Sequence, residues 1–201
     1  MSHVESSETP LDHRSDSRRN RLRLVEAARA LVAEKGMDVT AAEIATRAEV
    51  GVGTLYRRFG SKDALIRDIL ADGLEEVETV AQAALDDPDS WNGLASFFAF
   101  FSKTQVDNQG IAEYLSLSTS VPADEISKMN SRLSGLVRDL VERAHREGSL
   151  RVSVTWEDVV LLSRASVSAT ECLGVYAPFG QWERACKVIL DGMKNPTPAH
   201  A

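Results

Sequence analysis

Cysteine is scarce in this chain. Its two residues, Cys172 and Cys186, are too few and too far apart for a disulfide framework or a Cys-x-x-Cys site, so two reduced, buried thiols are expected. Histidine is scarce too. His3, His13, His145 and His200 are scattered, and no His/Cys/carboxylate cluster has metal-ligand spacing. No Gly-rich phosphate loop follows a strand, and Ser163, Ser166 and Ser168 have no visible histidine partner. These absences argue against an enzyme, and neither a metal nor a cofactor is expected. No apolar run approaches the roughly 20 residues that span a bilayer, and the N-terminus is polar and charged rather than signal-like. The expected location is therefore the cytoplasm, with no membrane partner. Hairpin dipeptides between alternating runs are missing as well, so strands are not expected.

What remains is an apolar-rich chain with an uneven charge. Hydrophobic residues make up 43% of the 201, enough to bury a core. The net charge of -7 is distributed unevenly: residues 13–62 hold 11 Lys/Arg against 6 Asp/Glu, whereas residues 63–201 hold 12 against 21. A small basic part joined to a larger acidic part suggests that one end meets a polyanion while the other is repelled by it.

Apolar spacing predicts an all-α chain. Residues 1–16 read as a flexible tail, 17–62 as a small basic domain and 63–201 as a larger helical domain. A first helix is expected from about Ser17 to Lys35, with Leu22, Val25, Ala28, Leu31 and Val32 on its inner face and Gly36 as its stop. "TAAE" opens a short second helix, in which Thr40 and Glu43 have the spacing of a capping box. After the break "EVG", a third helix covers about Val52 to Phe59. Ser61 is the N-cap of a long fourth helix, which "DDPDS" ends. Further helices are expected at about 90–106, 110–119, 123–147, 155–175 and 179–194, with "SLRVSV" (149–154) as an extended connector.

Two short helices joined by a tight turn make a helix-turn-helix. At 100° per residue, Val52, Leu55 and Phe59 share one side of the third helix, while Gly53, Thr54 and Arg57 take the other, with Tyr56 at the flank. That outward face suits a DNA major groove. Arginine and threonine reach base edges, and a glycine permits close approach. Tyr56 can donate to phosphate, and Lys62 adds a charge beside the free N–H groups of a helix start. Taken singly, each of these residues is more simply a solvated surface group; it is the combination of capping box, turn, glycine and second cap that is specific. A competing reading is a helical protein-interaction module with a vestigial helix-turn-helix.

The stretch "TAAEIATRAEVGVGTLYRRFGSKDALI" resembles the DNA-binding domain of the TetR/AcrR family of transcriptional regulators, and "LVEAARALVAEKG" resembles that family's first helix. The chain departs from the family where Gly51 replaces a common serine and Arg58 a common histidine. The resemblance implies a ligand-relieved repressor: a homodimer whose recognition helices enter successive major grooves of a palindromic operator on double-stranded DNA. Positions matching Thr40, Thr54, Tyr56 and Lys62 would touch the phosphate backbone, and those matching Val52, Gly53 and Arg57 would lie near bases. Arg14, Arg18, Arg19, Arg21 and Arg23 could add backbone or minor-groove contacts.

In the acidic part, "WNGLASFFAFF" places Leu94, Phe98 and Phe101 on one helical face with Phe97 at its border. The ordinary reading of these rings is core. The resemblance implies instead a small-molecule effector pocket, with Phe97, Phe98, Phe101, Tyr114, Leu133, Val137, Cys172 and Tyr176 as candidate lining and Glu171 as a polar contact. "LLSRASVSATECLGVY" and "WERACKVILDGM" suggest a two-helix dimerisation surface, with Ala165, Ala169 and Cys172 permitting close helix contact beside Ser168.

Overall fold

The computed structural model describes residues 10–116, 124–168, 171–178 and 180–196, with the backbone alone for 10–17, 116, 124–127, 168, 171 and 172. Two compact units divide the chain, one ending at Leu70 and the other beginning at Ala71. The first holds α1 (Pro10–Lys35), a 3-10 turn (Gly36–Asp38), α2 (Ala41–Arg47), α3 (Val52–Phe59) and the start of α4 (Lys62–Leu85), which continues into the second unit.

The first helix begins at Pro10 rather than Ser17. Proline suits the first helical position, where its missing N–H has no partner to lose. Its inner face also differs from the expected one. Leu24, Ala27, Ala28, Leu31 and Val32 are buried, whereas Leu22 is 56% exposed. The spacing fits either stripe at this end of the helix, and Leu24 takes the place assigned to Leu22. Val39, Ile44, Ala45, Ala48 and Leu55 are buried in the same unit.

In the second unit α5 (Ser90–Asp107) packs against α6 (Gln109–Ser116), α7 (Asp124–Arg146), α8 (Trp156–Ser168) and α9 (Gln181–Met193). Leu94, Phe97, Phe98 and Phe101 of α5 join Val137, Leu140, Leu150 and Val159 in one core. Asp89 caps α5, its carboxylate accepting from the backbone N–H of Trp91 at 2.9 Å and of Asn92 at 3.1 Å. The α4 terminus is closed by Arg143, whose Nη1 donates to the Leu85 carbonyl at 2.6 Å. The expected ends of α6 at 117–119 and the start of α7 at 123 lie outside the described residues. The connector 149–154 is extended where it forms a bridge between Leu150 and Lys194.

One element overturns the expectation of no strands. The helix expected over 155–175 stops at Ser168, and β1 (Glu171–Cys172) pairs antiparallel with β2 (Val175–Tyr176). The two-residue turn between them is Leu173–Gly174, with φ of 53° and 74°. Positive φ at both central positions is the geometry that matches strand twist. Gly174 supplies it without strain, but Leu173 hides the signal because leucine seldom adopts it.

Candidate nucleic-acid interface

The interface is built from local bonds outward. Thr40 caps α2 in a complete capping box. Its Oγ1 accepts from the Glu43 N–H at 3.2 Å and donates to Glu43 Oε2 at 2.8 Å, and its own N–H donates to Glu43 Oε2 at 2.8 Å. Glu43 also receives Lys35 Nζ at 2.8 Å. The Lys35 ammonium first, then the Thr40 N–H and hydroxyl, hold the Glu43 carboxyl down at about 2. A second tie is bidentate: Arg47 donates to both oxygens of Glu34, at 2.7 and 2.8 Å. That bond lowers the Glu34 pKa and raises that of Arg47. Together these pairs fasten α2 to the end of α1.

The turn from α2 to α3 closes with Val50 N–H donating to Ala45 O at 3.0 Å and Glu49 N–H to Thr46 O at 3.1 Å. This is a Schellman closure with Glu49 in the left-handed region, φ 55°. Gly51 then caps α3 without a side-chain bond. Leu55 is fully buried beneath α3 and Phe59 is half-buried. Ser61 caps α4 by accepting from Ala64 N–H at 3.0 Å.

With Leu55 inward, Val52, Gly53, Tyr56 and Arg57 are exposed and Thr54 is partly so. Val52 was expected to pack inward with Leu55 but is 38% exposed, since the first turn of α3 has little above it. A Cβ added at Gly53 would meet no atom within 4 Å, which leaves the backbone there open to a ligand's approach. Arg57 Nη2 donates to Thr54 Oγ1 at 3.1 Å. Lys62 is partly exposed beside Asp63, Nζ to Oδ1 3.7 Å. The structure therefore gathers Val52, Gly53, Thr54, Tyr56, Arg57 and Lys62 around α3 and its exit. Thr40 differs in that its hydroxyl proton is already committed to Glu43.

The candidate effector residues are brought together only in part. Phe97, Phe98, Phe101, Leu133 and Val137 are buried in one cluster, and the Phe97 and Phe101 rings stack with centroids 5.6 Å apart and planes 12° from parallel. Tyr114 is buried. Burial raises its pKa, partly offset by Asn130. Tyr176 is 71% exposed on β2 and does not join them. Glu171 and Cys172 lie in β1 with side chains outside the described ones. A cleft of about 340 Å³ lies elsewhere, lined by Trp91, Ala95, Trp182, Cys186 and Leu190 among others. The start of α5 and the start of α9 each carry a tryptophan, a pattern that sequence reasoning passed over. Burial pushes the Cys186 thiol pKa up, partly offset by Ser102.

A capped short helix, a tight turn and an exposed polar, cationic second helix define a helix-turn-helix regulator joined to a larger helical unit. Residues 24–69 match the family described as bacterial regulatory proteins, tetR family. Residues 87–195 match the family described as transcriptional regulator SbtR-like, C-terminal domain. The chain belongs to the TetR family and is a DNA-binding transcriptional regulator rather than an enzyme. It is similar to the HTH-type transcriptional repressor KstR2 of Rhodococcus jostii, 24% identical over 203 residues that cover 93% of this chain and 97% of the relative. A TetR transcription regulatory protein from Mycobacterium vanbaalenii superposes with TM-score 0.59 at 25% identity, covering 90% of this chain and 99% of that one. The ketosteroid transcriptional regulator KstR2 of Mycobacterium tuberculosis shares the fold, with TM-score 0.63 at 20% identity and coverage of 89% and 96%. Among the described residues no helix is long and apolar enough to cross a membrane.

Proposed function

We propose that this protein is a homodimeric cytoplasmic repressor that binds a palindromic operator and is released by a small, largely apolar ligand. The observation that carries the DNA half is the outward face of α3, where Gly53, Thr54 and Arg57 stand free of the core over the buried Leu55. In this reading Arg57 and Val52 meet base edges, Gly53 admits the groove wall, and Thr54, Tyr56 and Lys62 take phosphates. Thr40 would reach a phosphate by exchanging its bond to Glu43.

Dimerisation is assigned to the outward sides of α8 and α9. Leu161 and Ala165 of α8 and Val188 of α9 are exposed there, and a Cβ added at Gly192 would meet nothing. Ala169 lies outside the described residues. The effector half rests on Phe97, Phe98, Phe101, Tyr114, Leu133 and Val137. They supply aromatic, apolar walls with one phenol, and Glu171, Cys172 and Tyr176 are carried along from the family pattern. A ligand acts through α4 only if it binds the DNA-competent and released states with different affinity. The working division is a DNA-binding head through residue 62, which α1 enters at Pro10 rather than after a tail of residues 1–16, and an effector domain of 63–201. The Rhodococcus relative is likewise a transcriptional repressor.

The test is selection of genomic DNA fragments by the purified protein at moderate salt, where nonspecific binding fades. Recovery of a common palindrome is expected. Tyr56→Phe and Lys62→Ala should then weaken binding to every sequence, and Arg57→Ala should relax specificity at one position per half-site by about 1–3 kcal/mol. A folded protein that enriches no sequence refutes the operator reading.

A further inference from the structure

Arg21 precedes the segment that matches the family's DNA-binding region, which begins at residue 24. It is nevertheless joined to the recognition helix. Its guanidinium carbon stands 5.4 Å from the centroid of the Phe59 ring. Phe59 is the last residue of α3, and the chain leaves it through Gly60, with φ 75°, to Ser61 and Lys62 at the start of α4.

An arginine laid on an aromatic face is held by the ring quadrupole while its N–H edges stay available. The ring is neutral, so it cancels none of the charge. Arg23 behaves differently. It lies about 200° further round the helix by the 100° step of an α-helix, and its Nη1 is 3.9 Å from Glu49 Oε2. Arg23 is thus partly compensated within the protein, and Arg21 is offered outward. Arg58, next to Phe59 in the chain, is exposed, and Lys62 is partly exposed. Arg18 is exposed too and falls on the Arg21 side of α1 by the same helical spacing. The end of α3 therefore carries cations from α1, α3 and α4.

We propose that Arg21, positioned by Phe59, is a phosphate contact on operator DNA beyond the helix-turn-helix itself, with Arg18 extending the same cationic stripe. The proposal rests on the DNA-binding reading above. A phosphate is the fitting partner because the guanidinium is fixed by a stack and offers a fork of donors, the arrangement that suits bidentate anion recognition. Its contribution is independent of sequence, since phosphate contacts position the protein without reading bases.

The experiment measures operator affinity against salt for the full-length protein and for Arg21→Gln, using a fragment recovered by the wild type. Each neutralised phosphate changes the slope of log affinity against log salt by about 0.9. Losing one contact per subunit of a dimer should flatten the slope by about 1.8, so the deficit of the variant should shrink about tenfold between 50 and 200 mM salt. Arg23→Gln should keep the wild-type slope. An unchanged slope in Arg21→Gln overturns the proposal, and so does an equal flattening in Arg23→Gln, which would report diffuse charge rather than the stacked site. If the wild type itself shows no salt-dependent binding to DNA, the DNA-binding reading fails and the proposal with it. Matching thermal melts of the three proteins keep folding out of the comparison.

Discussion

Gly93→Ala should unsettle the second unit, and the cost can be worked from distances. Gly93 is buried in the first turn of α5, its N–H donating to the Asp89 carbonyl at 2.9 Å. A Cβ built on it would stand 2.2 Å from the carbonyl oxygen of Ala84 and 3.3 Å from Asp87 Cβ. Real Cβ contacts essentially never fall under 3.0 Å, so the end of α4 and the start of α5 must part by most of an ångström. The obstacle is backbone, which cannot rotate aside as a side chain can. Overpacking of this kind costs about 1–3 kcal/mol, sometimes more. Alanine returns about 0.5–1 kcal/mol of helix preference over glycine. The net expectation is a loss of about 1 kcal/mol, or about 2–4 °C in Tm for a chain of this size. The control is Gly135→Ala in α7, where an added Cβ meets nothing within 4 Å. That variant should keep the helix gain and melt about 1–4 °C higher. Far-UV circular dichroism melts of the three proteins decide it. A Gly93→Ala protein that melts at or above the wild type would falsify the close approach between α4 and α5.

Three further outcomes are expected. Thr40→Ala removes the hydroxyl half of the capping box, leaving the backbone N–H of residue 40 to Glu43, and should cost about 1 kcal/mol, read as a lower denaturant midpoint, with Thr40→Ser restoring most of it. Glu43 has its folded pKa lowered to about 2. Its contribution is therefore full above the ordinary carboxylate range and is lost as pH falls from about 4.5 to 2; Glu43→Gln should flatten that part of the stability–pH profile, and an identical profile would refute the assignment. Burial raises the Cys186 pKa, so in a Cys172→Ser background the remaining thiol should resist a thiol reagent at pH 7.5 until denaturant is added, and rapid native labelling would contradict the packing.

Legibility differed between the two units for a physical reason. The head repeats local chemistry over short distances. Thr40 reaches Glu43, Ser61 reaches the N–H of Ala64, and Leu55 turns the rest of α3 outward. Each of those relations spans three or four residues, so the order of residues already contains it. Where the chain had to choose between two nearly equal stripes, as at Leu22 and Leu24, only packing against the neighbouring helices decided. The hairpin at 171–176 escaped for another reason. A leucine in left-handed geometry at Leu173 removes the usual dipeptide signal and leaves only Gly174 to mark the turn.

The second unit asks a harder question of its sequence. Four phenylalanines on one helix read equally well as core or as pocket wall, because both require large apolar area facing inward. The structure buries Phe97, Phe98 and Phe101 together with Leu133 and Val137, and that burial is common to both uses. What separates them is whether a space opens beside the rings when a ligand arrives, and such a space is a difference between two states rather than a property of one stripe. A DNA contact has no such ambiguity. Its partner is a fixed polyanion, so exposure, charge and reach on a rigid helix are already the requirement, and α3 meets all three at Arg57. Hence the DNA partner can be argued from the residues that one exposed helix face gathers, taken together with the caps and turn that hold it. The proposed ligand would have to be argued from the cost of parting Phe97 from Phe101, a stack that a bound apolar molecule would replace with contacts at least as large.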